Sequence, residues 1–142
     1  MIIISDDAGL NKKIDSALLN LLKKNKIDAV SIIVVGPKNY LPVEFKDLKQ
    51  SQKWLHICLT YGNPIQDRLW RKIGLISRKG FINLSFLRIF IIELIPNIFQ
   101  FKKNYNRIVK LEIKSQIKKF KKIYGEPDGI DGHQHIQIYP SV

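Results

Sequence analysis

"IIISDDAGLN", residues 2–11, is an apolar run that stops at two carboxylates, turns at a glycine and ends at an asparagine. The isoleucines predict a short buried strand. Asn11 predicts the start of a helix, because an asparagine side chain accepts hydrogen bonds from the free N–H groups of a first helical turn. Asn25 predicts the end of that helix, because asparagine can adopt the left-handed conformation of a helix cap. A strand that leads directly into a helix begins a β-α unit, and it places Asp6 and Asp7 at the carboxyl end of the strand.

An alternation of strand and helix patterns continues along the chain. Apolar, β-branched runs predict further strands at residues 29–35 and 54–59, and a last strand lies near Ile130. Helical spacing predicts helices after the first strand and over residues 101–122, whereas residues 40–52 indicate a weaker helix or a loop. The order favours an α/β fold of parallel strands with alternating helices, and both a doubly wound sheet and a barrel fit it.

The long connection at about residues 61–104 predicts a helical insertion within a single partial domain that spans residues 1–142. Its apolar stretch, residues 81–99, is interrupted by Arg88 and Glu93. A membrane-spanning helix needs about 20 mostly apolar residues with few charges. We therefore expect no transmembrane segment, and we favour a buried or interface-forming helix over one that lies on a membrane surface.

The composition is typical of a globular chain, with 45% hydrophobic residues and a single cysteine, Cys58. One cysteine excludes a disulfide framework within the chain and favours a reducing compartment. The first residues lack the pattern of a secretory leader, in which a basic start precedes an apolar run and a small-residue cleavage site. We therefore expect a cytoplasmic location.

The net charge of +12 is concentrated in residues 101–122, which hold nine lysines or arginines and one acid, Glu112. The spacing of the apolar residues there favours an amphipathic helix with a solvated lysine face. The alternative is a basic, non-catalytic module that binds nucleic acid or an anionic surface. No zinc-finger, RNP-type or GXXG pattern supports specific recognition of nucleic acid.

Side chains suited to metal binding or proton transfer occur at the predicted carboxyl ends of three strands. They are Asp6 and Asp7 after the first strand, His56 in the third, and Asp131, His133 and His135 around the last. Active sites of parallel α/β folds are built at that edge. One carboxylate and two imidazoles can hold a divalent cation, and a second carboxylate can take a proton from water. Adjacent aspartates can instead be turn formers, and a histidine on an apolar strand can be a core residue.

Three stretches, in chain order, resemble the motifs of one protein family. "IIISDDAGLN" at residues 2–11 is similar to "ADDFGLS", "LHICLTYGNPI" at residues 55–65 to "HxxLTxGxPL", and "DGIDGHQHIQIYP" at residues 128–140 to "LDSHQHxHxxP". These are motifs of the YdjC-like carbohydrate deacetylases. The chain departs from the last motif at Gly132 and Gln137, where the family has serine or alanine, and histidine, respectively.

The resemblance implies about the first half of a distorted (β/α) barrel of the polysaccharide-deacetylase type, because the family's chains are much longer. It implies that Asp7, His56 and His133 bind a divalent metal ion, Mg²⁺ or Zn²⁺. It also implies that Asp6 is the general base.

Asp131 and His135 match motif positions to which we assign orientation of the metal ligands or contact with the sugar. If the segment after Ile130 is extended, His133 and His135 point to the same face, because strand side chains alternate with period two.

The activity implied by the resemblance is that of a metal-dependent hydrolase, which removes acetyl groups from N-acetylated sugars or oligosaccharides. Half a barrel can be catalytically incomplete. Its open sheet edges also predict self-association into a homo-oligomer.

Overall fold

The computed structural model describes residues 2–48, 52–82 and 84–142. Within these residues four parallel strands form one sheet: β1 (Ile4–Ala8), β2 (Ala29–Ile32), β3 (Gln52–Ile57) and β4 (Gly129–Gly132). The spatial order of the strands is their order in the chain. The predicted α/β fold with parallel strands is therefore confirmed. A doubly wound sheet reverses its strand order at a switch point, so the unreversed order favours barrel-type winding.

The helices of the described chain are α1 (Lys12–Lys23), α2 (Asp67–Lys72), α3 (Phe86–Glu93) and α4 (Gln100–Tyr124). Helix α1 begins and ends as predicted. The side chain of Asn11 accepts hydrogen bonds from two backbone N–H groups of the first turn. Asn25 is left-handed at φ 52°, and the N–H of Lys26 donates to the carbonyl of Leu21 at 2.9 Å, which is the bonding pattern of a Schellman cap.

The second strand and the segment after it differ from expectation. Residues 33–35 are fully buried but leave the ladder, and the carbonyl of Val35 accepts an N–H from the loop after β3. Of the two alternatives for residues 40–52, a weak helix or a loop, the structure shows a loop with one 3-10 turn, Val43–Phe45, in the part that it describes. Residues 49–51 lie outside the described part of the chain.

The predicted basic helix is present as α4, which is longer than the expected 101–122. Its buried stripe holds Tyr105, Val109 and Phe120, as the apolar spacing predicts, but also the polar residues Glu112 and Gln116. Both polar side chains are fully buried and hydrogen-bonded. The apolar pattern alone therefore missed two inward positions of this helix.

The apolar stretch of the insertion forms α3 and the turns after it. Ile89 and Ile92 are buried, whereas several apolar side chains on the opposite face are exposed. The prediction was a buried or interface-forming helix, and the structure shows one buried face and one exposed apolar face. None of the helices in the described ranges is long and apolar enough to span a membrane.

The segment after β4 corrects the expectation of an extended strand. Residues His133–Ile138 form 3-10 turns, and Gln134 and His135 lie in the left-handed region at φ 55°. Because the backbone turns directly after Gly132, the period-two alternation of a strand does not apply. The condition under which His133 and His135 would share a face, an extended segment, is therefore not met.

Candidate metal centre

A β-bulge in β1 brings two consecutive carboxylates to the same place. Ser5 pairs with Val30 and Ala8 pairs with Ile32, so β1 has one more residue than β2 across this interval. The extra residue falls at Asp6 and Asp7, and Asp7 is left-handed at φ 69°. Neighbouring side chains of a regular strand point to opposite faces. The bulge removes this alternation, and both aspartates lie close to the same histidine.

The turn after the bulge depends on Gly9. Its φ is +91°, and a Cβ at this position would lie 2.4 Å from the carbonyl oxygen of Ile33. The N–H of Gly9 donates to Asp15 Oδ1 at 2.8 Å, and the hydroxyl of Tyr40 donates to Asp15 Oδ2 at 2.5 Å. Burial raises the pKa of Asp15. This supporting role of Asp15 was not predicted from the sequence, where its helical spacing four residues after Asn11 is the sole signal.

His56 lies on β3 and is 3% exposed. Its Nδ1 lies 2.7 Å from Asp131 Oδ1, and the hydroxyl of Ser31 donates to the same oxygen at 2.5 Å. The carboxylate fixes the tautomer with the proton on Nδ1. The unprotonated Nε2 then faces Asp7 Oδ1 at 3.4 Å. Two acceptors facing each other need a cation or a proton between them, so this geometry fits a metal ion.

His133 completes a three-residue group. Its Nδ1 lies 2.8 Å from Asp7 Oδ1, and its ring makes an edge contact with His56 at a centroid distance of 5.4 Å. Ligand atoms of the three side chains lie within 4.8 Å of one another. Donors held about 2.1 Å from one tetrahedral ion are about 3.4 Å apart. The set of one carboxylate and two imidazoles therefore suits a divalent cation.

The two remaining aspartates have different electrostatic environments. Asp6 is exposed, yet partial desolvation raises the pKa of its carboxyl, and this outweighs the opposing effect of His56. Burial also acts to raise the pKa of Asp131, but the hydrogen bonds from His56 and Ser31 outweigh burial, so that its pKa is lowered. Asp6, His56 and Asp131 form a second group with ligand atoms within 4.8 Å. Two carboxyl groups whose environments shift their pKa values in opposite directions can serve different chemical roles.

His135 does not belong to either of these groups in the described residues. It is exposed and lines an open groove of about 620 Å³ together with Thr60, Ser85 and Gln134. The structure thus brings five of the six predicted site residues into direct proximity. The sixth, His135, lines the groove instead.

Helix α4 holds the end of β3 through a buried polar network. The sequence pattern did not predict this network. Gln116 binds both backbone groups of Cys58: it accepts the N–H at 3.1 Å and donates to the carbonyl at 2.9 Å. Glu112 accepts hydrogen bonds from the N–H groups of Ile65 and Gln66 and from the indole of Trp70. Cys58 lies two residues after His56, so these contacts fix the strand that carries the histidine.

Burial raises the pKa of the Cys58 thiol to about 11, which disfavours Cys58 as a nucleophile. At neutral pH the side chain is a thiol and not a thiolate. The chemistry of the site therefore rests on its carboxylates and imidazoles.

Comparison with known proteins finds a matching family and similar chains. The family described as YdjC-like protein matches residues 1–142. The chain is 22% identical over 147 aligned positions to a mouse (Mus musculus) protein named carbohydrate deacetylase, and the match covers 100% of this chain and 44% of the mouse protein.

A solved structure from Enterococcus faecalis, of a protein proposed to act in cellobiose-phosphate cleavage, has a similar fold. The TM-score is 0.71 at 20% identity, and the match covers 95% of this chain and 48% of that one. The chain therefore spans about half the length of the relatives it matches.

Proposed function

The chain belongs to the YdjC-like protein family, and from that premise we propose that it acts as a carbohydrate deacetylase on N-acetylated sugars or oligosaccharides. The reaction is hydrolysis of an amide: water adds to the acetyl carbonyl, the C–N bond breaks, and acetate and a free amine are released. The observation that carries the proposal is the convergence of Asp7, His56 and His133 at one edge of the sheet, with the carboxyl of Asp6 beside them.

We assign the metal-binding role to Asp7, His56 and His133. A divalent cation held there would supply Lewis acidity and lower the pKa of a coordinated water. Two imidazoles and one carboxylate favour Zn²⁺ or a similar ion, whereas all-oxygen sites favour Mg²⁺. The contact between His56 and Asp131 orients the imidazole and keeps its Nε2 unprotonated, as metal binding requires.

Asp6 is assigned the role of general base. It lies outside the Asp7, His56 and His133 set and remains exposed, so its carboxylate can take a proton from water. Its proximity to His56 supports this assignment. His135, which lines the open groove beside the site, is assigned to contact with the sugar.

The test is acetate release from a chitooligosaccharide by the full chain, with Zn²⁺ or Mg²⁺ added in turn. We expect release by the wild type, loss in Asp7→Asn, and no change in Asp47→Asn, which alters an exposed aspartate elsewhere on the chain. Calorimetry on the same samples measures metal binding independently. If the metal-loaded wild type releases no more acetate than Asp7→Asn, this chain does not have the proposed activity by itself.

A further inference from the structure

The outer face of α3 and of the turns after it is an exposed apolar surface. Its main residues are Leu87, Phe90, Ile91, Leu94, Ile98 and Phe99. Leu94 is 67% exposed and Ile98 is 77% exposed, which are high values for side chains of this size. A large contiguous patch of exposed aliphatic and aromatic side chains usually marks an interaction surface.

The inner face of α3 is fixed to the protein. Ile89 and Ile92 are buried, and Glu93 Oε2 accepts a hydrogen bond from the buried Lys102 Nζ at 2.7 Å. Glu93 Oε1 also accepts a hydrogen bond from the hydroxyl of Ser141. The helix is therefore anchored on one side, and its apolar outer face is displayed in a set orientation.

A basic concavity adjoins this apolar face. Pro96 helps to line an apolar groove of about 550 Å³, and the next residue, Asn97, lines a concavity of about 580 Å³. The cations that line this concavity are Lys103, Arg107, Lys110 and Lys114 of α4, all exposed. The side chain of Asn106 donates a hydrogen bond to that of Asn97 at 2.9 Å. This bond fixes the turn between the apolar groove and the basic concavity.

We propose that this combined surface, the outer face of α3 with the four cations of α4, docks the protein onto an anionic lipid bilayer. Apolar side chains next to lysine and arginine are the pattern that seats a structure at the boundary between headgroups and acyl chains. The basic residues meet the lipid phosphates, while the apolar ones enter the bilayer. A second copy of the chain fits less well, because a symmetric contact would bring two strongly basic surfaces together.

The test uses the full chain and co-sedimentation with two kinds of vesicle, phosphatidylcholine alone and phosphatidylcholine mixed with phosphatidylglycerol. The wild type is expected to bind the mixed vesicles and to bind the neutral ones much more weakly. Ile91→Ser/Leu94→Ser should weaken binding by at least about tenfold. Its matched control is Ile2→Ser/Val43→Ser, which removes two similarly exposed apolar side chains elsewhere and should leave binding unchanged.

Charge is tested by a second pair of variants, which also guards against misfolding of the first. Changing Lys103, Arg107, Lys110 and Lys114 together to glutamine should weaken binding by about fivefold for each residue that faces the lipid. The control changes four exposed lysines of α1 and the turn after it to glutamine: Lys12, Lys23, Lys24 and Lys26.

Three outcomes would overturn the proposal. One is no binding of the wild type to the mixed vesicles. Another is an equal loss of binding in the α4 charge variant and the α1 control, which would indicate general attraction of a basic protein. The third is a wild-type oligomer that Ile91→Ser/Leu94→Ser makes monomeric without any effect on vesicle binding, which would assign the surface to a second copy.

Discussion

His56 and Asp131 are direct neighbours across the ladder between β3 and β4, and their side chains meet at 2.7 Å between Nδ1 and Oδ1. Residues in register on adjacent parallel strands project from the same face of the sheet. The hydrogen bond therefore follows from the strand register, and it determines which imidazole nitrogen faces Asp7.

Replacing Asp131 should weaken metal binding without removing a ligand. We expect Asp131→Asn to lower Zn²⁺ affinity by about 10–100-fold, because the imidazole of His56 loses its charged partner and its fixed tautomer. Isothermal titration calorimetry measures the change, with Asp47→Asn as the matched control. An affinity equal to that of the control would show that the contact does not tune the site.

The two histidines after β4 should behave differently. His133→Ala removes a ligand atom near Asp7, so we expect a loss of Zn²⁺ affinity beyond the roughly 10–100-fold that accompanies loss of an outer hydrogen-bond partner. His135→Ala should retain most of the affinity, because His135 is exposed and outside the Asp7, His56 and His133 set. The measurement is bound zinc per chain for both variants. If His135→Ala loses more zinc than His133→Ala, the two assignments must be exchanged.

Glycine is required at the turn after β1 for two reasons, the positive φ and the close approach of Ile33, and two variants separate them. Gly9→Ala adds a Cβ 2.4 Å from the carbonyl oxygen of Ile33, whereas Gly74→Ala, also at positive φ, meets nothing within 4 Å. Gly74→Ala should lower the free energy of unfolding by about 1–2 kcal/mol, from backbone strain alone. Gly9→Ala should lose about 1–3 kcal/mol more, from the clash. Urea unfolding measures both, and equal losses would mean that the turn relaxes away from Ile33.

The buried hydrogen bonds between Gln116 and the backbone of Cys58 should contribute measurably to stability. Gln116→Leu leaves the N–H and the carbonyl of Cys58 without their partner, so we expect the free energy of unfolding to fall by about 2 kcal/mol or more. Lys118→Leu changes an exposed position on the same helix and should stay within about 0.5 kcal/mol of the wild type. Thermal or urea unfolding compares the two. If Gln116→Leu lowers the free energy of unfolding no more than Lys118→Leu does, water or a shifted loop satisfies the backbone groups of Cys58.

The sequence by itself determined the class of fold and the identity of the candidate site residues. Period and composition locate the strands, and Asn11 and Asn25 mark the ends of α1 through local hydrogen bonding and backbone preference, which need no tertiary contacts. Carboxylates and imidazoles at the carboxyl ends of parallel strands must lie at one edge of the sheet. This is why the six candidate carboxylates and imidazoles could be expected near one another before any distance was known. The choice of Asp7, His56 and His133 among them as the metal-binding set came from the resemblance to the YdjC-like motifs.

Only the tertiary structure decided how those side chains are aimed. The bulge at Asp6 and Asp7 and the left-handed turn at Gln134 are set by pairing and packing between segments far apart in the chain, and single-residue preferences do not encode them. The same holds for the buried Glu112 and Gln116, which appear polar in the sequence but face backbone groups of a distant loop. A buried polar side chain is stable only where it finds such partners, and those partners exist only after the chain has folded.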